Sequence, residues 1–429
     1  MNKSILVAYL FFCTSLFVNG QTQVWPLSKC LEEGLKNSLE AKIQQLEVKR
    51  SQRAKTALLH QWLPTIGLYA NHSYNFGSTI DPATNARVSS NIQYDNFALN
   101  ASINLLDFNS LNAQARSKME VERTTSERAV FENEYQLQIT ESYYQALYTQ
   151  ELLKIRENQF INTQANRNRI AKEVAAGLKP TSDNYDIQLA YLAEEKVLLE
   201  TRQMLENQKL ELLQLINTKA INAKELALQI PIIQETLAPS GNPKVIRAKI
   251  AHDQAEKNTA AKRAQSLPTL TAFYQFSSFY YRPLNQPLVV DSFSQQMGNN
   301  KTQQAGLQLS IPVFNGFRNH KQVAAAKIEV EKAKENWNLE QQKLTNQLQL
   351  ENQKMEQLIQ LHSNLQETVE FARRSFKTSQ AKFESGKIEA VTFSAVKNQL
   401  MQSEYEVLKN QLMTQFTQAK MNLLQTNSL

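Results

Sequence analysis

The side chains that most often carry enzyme chemistry are few in this sequence, and they are scattered. None of the histidines belongs to a His-Glu-x-x-His pair of metal ligands; they are His60, His72, His252, His320 and His362. No Gly-rich phosphate loop and no Gly-x-Ser-x-Gly nucleophile turn is present. Three methionines on the last predicted helix could bind a soft metal ion, but packing is the commoner role of such residues. They are Met401, Met413 and Met421. The pattern predicts a protein that is not an enzyme and holds no metal or cofactor.

The charge pattern does not favour a nucleic-acid partner. The chain has 47 Lys+Arg against 40 Asp+Glu, and the basic residues alternate with Glu along helical stretches instead of forming runs. Interspersed charges of this kind are typical of solvated helix faces.

The first 20 residues differ from the rest of the chain. Lys3 precedes an apolar run from Ile5 to Phe12, and Val18-Asn19-Gly20 precedes Gln21. The run is too short to span a bilayer and fits a secretory signal peptide over 1–20. A lipoprotein signal ending at Cys13 is the alternative, disfavoured by the bulky residues before it. We expect an exported chain that begins near Gln21 and has no structural disulfide.

Three landmarks recur in the same order in the two halves of the chain. They pair at offsets of 204, 206 and 209 residues: Pro64 with Pro268, Phe108-Asn109 with Phe314-Asn315, and Gly177 with Gly386. An internal duplication explains this order. It predicts a first structural repeat over 21–241, which includes a linker, and a second over 242–429. Each repeat has a helix, two strands and a long helical hairpin.

The opening helix of each repeat is predicted to end at a Leu-Pro pair. The first runs from Leu27 to Trp62 with Ser28 as its N-cap, and the second runs from Pro243 to Ser266 with Asn242 as its N-cap.

Four segments alternate between apolar and polar residues, as strands do; they are 66–76, 97–105, 270–281 and 305–313. The alternation is cleanest from Phe97 to Leu105, whereas the third segment is aromatic on both faces. Such alternation usually marks a sheet packed on a soluble core. Here the predicted helices are too long to cover four strands as a compact layer.

Strands of about ten residues with an apolar outer face are typical of a transmembrane barrel wall. Four strands cannot close a barrel, because about eight is the practical minimum. The pattern therefore predicts a barrel shared among copies, and three copies would supply twelve strands.

The remaining segments predict very long helices, since Gly and Pro are absent from Phe317 to Ser385 and from Lys387 to Leu429. Helices over 109–176 and 317–385 would each be about 100 Å long at roughly 1.5 Å per residue. Gly177 and Gly386 would turn each helix back, to about Asn217 and Gln425. Apolar residues at coiled-coil spacing would pack these helices together.

In these features the sequence resembles the TolC-like outer-membrane efflux family. Its repeat signature is matched by the residues that begin and end the strands of each half: Leu63-Pro64, Leu267-Pro268, Asp107-Phe108-Asn109 and Val313-Phe314-Asn315-Gly316. The two tip glycines complete the resemblance, which covers essentially the whole mature chain.

The resemblance implies a mixed α/β membrane protein and a function. Each chain would supply four transmembrane β-strands and long α-helical hairpins. A homotrimer would form a twelve-stranded β-barrel in the lipid of the cell outer membrane, continuous with an α-helical barrel in the periplasm of a Gram-negative bacterium. This passive exit duct of a tripartite efflux or type I secretion system would meet a periplasmic adaptor protein and, through it, an inner-membrane pump of the RND or ABC type.

The resemblance also assigns roles to the hairpin tips. Ala176-Gly177-Leu178 is similar to the family's Val-Gly-Leu adaptor-docking motif, and Ser385-Gly386-Lys387 is its counterpart in the second half. The simpler, structural interpretation is that each glycine only permits a left-handed turn. Both interpretations hold together, because the turn presents the tip.

The family's periplasmic gate matches in part. Ser182 and Asp183 occupy its hydroxyl and acid positions, but Phe383 lacks the partner hydroxyl and Ile388 lacks the partner charge. An interchain bridge from Asp183 would therefore need the neighbouring Lys387. The acidic aperture rings of some members are replaced by Thr392 and Ala395, so we expect weaker cation selectivity than in those members.

The rival interpretation is a soluble periplasmic coiled-coil adaptor or structural spacer. It accounts for the signal peptide and the helices, but it leaves the duplicated alternating strands unexplained. An adaptor would also be expected to carry one hairpin, whereas this sequence predicts two.

Overall fold

The computed structural model describes residues 23–55, 60, 62–80, 85–89, 91–232, 241–284 and 291–426, so the predicted signal peptide lies outside the described residues. The helices are α1 (Leu27–Asn37), α2 (Leu39–Ala54), α3 (Phe108–Ala175), α4 (Thr181–Ile216), α5 (Pro243–Ala264), α6 (Phe293–Asn299), α7 (Arg318–Glu384) and α8 (Ala390–Thr426). The strands are β1 (Gln23–Trp25), β2 (Thr65–Asn75), β3 (Ser78–Ile80), β4 (Arg87–Ser89), β5 (Ile92–Leu106), β6 (Leu226–Leu228), β7 (Thr269–Pro283) and β8 (Thr302–Ser310).

The chain divides into two compact units that do not follow the predicted repeats. A helical unit contains the described residues of 1–47, 125–247 and 338–429, and a sheet unit contains those of 48–124 and 248–337. Each unit therefore takes segments from both halves of the sequence. The repeat boundaries at 21–241 and 242–429 stay a prediction about the duplication.

The sheet unit is built on one four-stranded antiparallel sheet with the strand order β2-β5-β7-β8. All four predicted strands are present, and β5 and β7 are longer than predicted, at 15 residues each. β8 ends at Ser310 instead of Val313, since Pro312 follows and cannot donate to a strand ladder.

The strand register aligns the apolar faces predicted for the separate strands. Leu68 lies opposite Leu99, which lies opposite Phe276, and the next rows follow the same rule. Directly opposite residues of antiparallel strands share a face of the sheet. The apolar face therefore crosses all four strands, with these representative members: Ile66, Leu68, Leu99, Ile103, Ala272, Phe276, Leu307 and Leu309.

Several local features of the sheet unit have no counterpart in the prediction. β3 and β4 form a short hairpin, and α6 packs beside β7. Ser292 caps α6 through a capping box with Gln295, and the Gln296 side chain hydrogen-bonds the backbone of Tyr281 in both directions.

The two junctions between strand and long helix are built differently. Asp107 starts α3, because its carboxylate accepts hydrogen bonds from the Asn109 amide at 2.9 Å and the Ser110 hydroxyl at 2.6 Å. The second junction instead has two successive left-handed residues, Gly316 at φ 64° and Phe317 at φ 58°.

The prediction of one opening helix capped by Ser28 is wrong. α1 begins at Leu27 after Pro26, and the chain breaks at Ser38 before α2 starts. Ser38 interrupts the helix because its backbone is extended and its hydroxyl accepts the Ala41 amide at 3.1 Å, as an N-cap does. In the second half, the Asn242 side chain accepts the Lys244 amide at 2.9 Å, which confirms it as the cap of α5.

In the helical unit, the core gathers around one face of α3. Its fully buried members on that helix include Ile139, Tyr143 and Leu147, which pack with the ends of α4 and α8 and with α1. Cys30 lies in this core, and burial raises the pKa of its thiol to about 12.

Hydrogen bonds join this core to a short parallel pair, β1 and β6. The Tyr143 hydroxyl lies 3.0 Å from the Trp25 carbonyl and 2.6 Å from the Gln229 carbonyl, and it accepts the Gln229 amide at 3.0 Å. Burial raises the pKa of Tyr143, so the hydroxyl stays protonated and able to donate.

None of the described helices is apolar enough over sufficient length to cross a bilayer.

Candidate functional site at the hairpin tips

The two hairpin tips have the same backbone geometry. Gly177 and Gly386 take φ values of 70° and 71°, the left-handed region that favours glycine. At the first tip the Gly177 amide donates to Val174 at 3.0 Å and the Leu178 amide to Glu173 at 2.9 Å. These two bonds form a Schellman motif that ends the helix cleanly.

The second tip has the same motif at the corresponding residues. The Gly386 amide donates to the Phe383 carbonyl at 3.1 Å, and the Lys387 amide donates to the Lys382 carbonyl at 2.8 Å. The glycine therefore has the turn-forming role in both halves, as predicted from the spacing.

The tips differ in the side chain that follows glycine. Leu178 is 76% exposed, whereas Lys387 places a charged and exposed side chain at the matching position. Ala176 and Ser385 are also exposed, and the Ser385 hydroxyl donates to the Lys382 carbonyl. The first tip is thus apolar and the second is basic.

Behind the tips lies an apolar cluster contributed by all four hairpin helices. Phe383 is fully buried and stacks on Phe393, with ring centroids 4.5 Å apart and planes 4° from parallel. Ile170 and Ile187 complete the buried cluster, and Ile388 packs against it.

Two cations cover the Phe383 ring. The Arg169 guanidinium lies 4.5 Å and the Lys179 ammonium 5.4 Å from the ring centroid. Lys179 also lies 3.4 Å from the Asp183 carboxylate, one helical turn further along the chain. Asp183, predicted as the gate acid, therefore has a partner within its own chain.

Within the described ranges, one group of side chains could together hold a metal ion. His252, Asp253 and Glu256 lie together on α5 of the sheet unit, with ligand atoms within 4.8 Å of one another. Their adjacency on one helical turn accounts for this proximity.

Residues 233–426 match the family model described as outer membrane efflux protein. The second half of the chain is therefore similar to that family. No curated protein matches this chain in sequence.

Several solved structures of outer-membrane proteins share the fold of this chain. VceC of Vibrio cholerae has a TM-score of 0.76 at 15% identity, covering 93% of this chain and 96% of its own. CmeC of Campylobacter jejuni has a TM-score of 0.77 at 13% identity, with coverages of 93% and 85%. The open state of MtrE of Neisseria gonorrhoeae has a TM-score of 0.72 at 15% identity, with coverages of 93% and 89%.

The family and the fold confirm the resemblance drawn from the repeat signature. The similarity to outer-membrane channels favours the predicted exit duct over the soluble spacer. The family is one of channel proteins, which agrees with the prediction of a chain that is not an enzyme.

The structure places the predicted site residues in two environments. Phe383 and Ile388 belong to the cluster behind the tips, whereas Ser182, Thr392 and Ala395 are exposed in the single chain. The docking and gate roles of these residues stay predictions.

Sequence reasoning missed the side chains that support the tips. Phe393 and Arg169 have no distinctive motif, but each lies on the buried face of its helix near the glycine. Helical periodicity could have placed both side chains on an inward face, but it does not say which helix each one meets.

Proposed function

We propose that three copies of this chain form a passive exit duct. Four strands from each copy would close a twelve-stranded barrel in the outer membrane, and the hairpins would form a helical barrel in the periplasm. A periplasmic adaptor would bind the tips, and an inner-membrane pump of the RND or ABC type would supply the energy.

The observation that carries the proposal is the exposed apolar face of the four-stranded sheet. Ile66, Leu68, Leu307 and Leu309 are 64%, 76%, 67% and 60% exposed, and the register places them on one face. Exposure of so many large apolar residues on one sheet face needs an apolar surrounding. Outer-membrane lipid supplies it, and other copies supply the strands that close the barrel.

A charge placed on either face of the sheet tests this assignment. Arg or Lys on the lipid face of a barrel costs about 2–4 kcal/mol near the midplane, and Asp costs somewhat less. We expect Leu68→Asp to abolish the heat-sensitive trimer band in outer-membrane fractions. Asn71→Asp lies on the opposite face of the same strand and should leave the band unchanged. Equal tolerance of both changes would contradict the proposal.

The first tip supports adaptor docking, because Leu178 presents an apolar side chain beside a rigid turn. A photo-crosslinking residue at Leu178 should capture a periplasmic adaptor in intact cells. The matched control is Ile161, which is 61% exposed on α3 and lies four helical turns before the tip. Capture from both positions alike would argue against a tip-specific interface.

For the gate, we propose that Ser182 and Asp183 face Lys387 of a neighbouring copy. Lys387 is exposed and is the basic residue next to Ile388, which itself is held in the apolar cluster. Since Thr392 and Ala395 are exposed and neutral, the aperture would have weak cation selectivity. Block of single-channel current by micromolar multivalent cations would contradict this.

A further inference from the structure

The excess positive charge of the chain lies in one segment of the sheet unit. Between Glu256 and Glu329 the sequence has eight Lys or Arg residues against one acid, Asp291, so this segment alone carries the formal net charge of the whole chain, +7. The matching segment of the first half, 53–122, has five basic and five acidic residues. The positive charge therefore belongs to the second half and not to the duplicated plan.

Three of these basic residues meet where the chain passes from β8 to α7. Arg263 lies in the last turn of α5, and Arg318 and Lys321 lie in the first turn of α7. The Asn319 side chain donates a hydrogen bond to the Ser266 hydroxyl, which holds the end of α5 beside the start of α7. All three cations are exposed.

Carboxylates that would neutralise these cations are distant along both helices. The nearest acid of α5 is Glu256, seven residues before Arg263, and the nearest acid of α7 is Glu329, eight residues after Lys321. At roughly 1.5 Å per residue these separations are about 10 and 12 Å, at or beyond the distance over which about 0.1 M salt screens exposed charges. Across the sheet, the Asp107 carboxylate is engaged at the start of α3. The positive charge is thus available to an anion from outside the chain.

Exposed apolar side chains lie beside these cations. Val313, Phe314 and Phe317 are 93%, 74% and 66% exposed, and the two phenylalanine rings pack edge to face with their centroids 5.5 Å apart. They follow directly on the exposed apolar face of β8, which includes Leu307 and Leu309. The apolar surface of the sheet therefore continues to the beginning of α7.

A groove joins the charged and apolar parts of this region. Its volume is about 410 Å³, and it lies between the end of α5, the loop after β8 and the start of α7. Arg263 and His320 line its polar side, and Val313, Phe314 and Phe317 line its apolar side. A ligand that fits it carries an anionic group next to an apolar chain, which is the chemistry of a phospholipid with an anionic headgroup.

We propose that the junction surface binds an anionic phospholipid in the periplasmic leaflet of the outer membrane. This surface consists of Arg263, Arg318, Lys321, Val313, Phe314 and Phe317. The inference rests on the proposed duct function, which puts the end of the sheet that bears the helices on the periplasmic side. The acyl chain packs on the apolar side chains and the phosphate lies against the cations, since basic residues beside an apolar membrane contact attract anionic headgroups.

Tryptophan fluorescence in reconstituted trimers tests the proposal. Phe314→Trp trimers are placed in bilayers in which either anionic phosphatidylglycerol or zwitterionic phosphatidylcholine carries brominated acyl chains, which quench a tryptophan that they touch. The unmodified trimer gives the background from the three native tryptophans. We expect the binding constant for phosphatidylglycerol to exceed that for phosphatidylcholine about threefold or more.

The cations should account for this preference. In the background of Phe314→Trp, the triple variant Arg263→Gln/Arg318→Gln/Lys321→Gln should bring the ratio of the two binding constants close to one. Raising the salt concentration to about 1 M should have the same direction of effect, because salt screens exposed charges. A ratio that stays at the unmodified value in the triple variant would overturn the proposal.

Two further tryptophans separate failure of this inference from failure of the duct. Phe108→Trp is the matched control at the first junction, where Asp107 stands in place of Val313, and it should show no preference for the anionic lipid. An equal preference there would overturn the assignment to the second junction. Leu68→Trp lies on the apolar face of β2 and reports insertion into the bilayer. Quenching there with none at Phe314→Trp would overturn the lipid site and leave the duct intact, whereas no quenching at Leu68→Trp would overturn the duct itself.

If Phe314→Trp prevents assembly, the lipid that copurifies with the trimer decides the outcome. Mass spectrometry compares the anionic lipid retained by the unmodified trimer with that retained by the glutamine triple variant without the tryptophan. We expect about a threefold loss in the variant. Equal retention would overturn the proposal.

Discussion

The two long hairpins share a backbone plan but differ in how their first helices are buried. α3 has 68 residues and α7 has 67, and both end in the same glycine turn. α3 buries a face that includes Ile139, Tyr143 and Leu147. In α7 the buried residues of the described chain are Glu351, Leu365, Val369 and Phe383, with none before residue 351. The helix and its turn are thus alike in the two halves, as the predicted duplication requires, whereas the surroundings of each helix differ.

The exposed apolar residues of α7 are regularly spaced along the helix. Several are about half exposed and recur every 11 residues: Ile328 at 63%, Leu339 at 46%, Leu350 at 51% and Leu361 at 48%. An 11-residue repeat keeps one stripe in line along a nearly straight helix. In the proposed trimer, a neighbouring copy covers this stripe, so α7 depends on assembly where α3 depends on its own chain.

The largest expected effect comes from substituting one leucine in α3 and one in α7. Leu147 is fully buried, so Leu147→Ala should lower the free energy of unfolding by about 2–5 kcal/mol. Leu361→Ala should leave the dissociated chain nearly unchanged and weaken the trimer instead. Urea denaturation followed by circular dichroism measures the first effect, and the heat dependence of the trimer band measures the second. Equal unfolding costs in the dissociated chain would remove the distinction.

Two neighbouring tyrosines on α3 test whether hydrogen bonds or packing stabilise the buried face of that helix. Tyr143→Phe removes the hydrogen bonds to β1 and to the Gln229 backbone, so we expect a loss of about 1–3 kcal/mol of stability. Tyr144 is also buried, but its hydroxyl has no hydrogen-bond partner in the described part of the chain. Tyr144→Phe should therefore be neutral or slightly stabilising in the same denaturation assay. An equal loss of stability at Tyr144 and Tyr143 would show that packing, and not hydrogen bonding, accounts for both losses.

Helix ends and strand faces are predictable from the sequence where a single residue type or a simple period determines them. The spacing of Gly and Pro predicts α3 over 109–176 and α7 over 317–385, and the structure has 108–175 and 318–384. Alternation predicts the strands and their apolar faces, because a period of two leaves little freedom of register. The break at Ser38 escapes this reasoning, because serine is tolerated within helices as well as at their caps.

The contacts behind the tips depend on which helix faces meet, and periodicity alone does not give that. Lys397 looks like one more surface lysine in a polar stretch of sequence, yet it is buried against Glu194 and Thr163 from another hairpin. Phe383 occupies a predicted gate position, but the structure places it inside a cluster. Pairings between distant helices are set by packing in three dimensions, so residue spacing within one helix cannot specify them.

The tips are where the hairpins should behave alike. Gly177 and Gly386 are both left-handed, and no heavy atom lies within 4 Å of an added Cβ at either position. Alanine would therefore cost only the backbone strain of that region, about 1–2 kcal/mol at each tip. Thermal melting of Gly177→Ala and Gly386→Ala trimers should show similar small decreases. A large difference would mean that one turn supports assembly and the other does not.

The smallest expected effect at neutral pH concerns the native thiol in the core beside α3. Burial raises the pKa of Cys30 from 9.0 to about 12, so its contribution to stability is complete below pH 9 and disappears as the pH rises through about 12. At pH 7.5 a maleimide should leave Cys30 unmodified in the folded chain. A cysteine at Leu361 should react promptly in the dissociated chain and slowly in the trimer, because only assembly covers that face of α7. Equal rates for Leu361→Cys in both states would show that this stripe faces solvent, and would leave the contrast between the helices without its proposed cause.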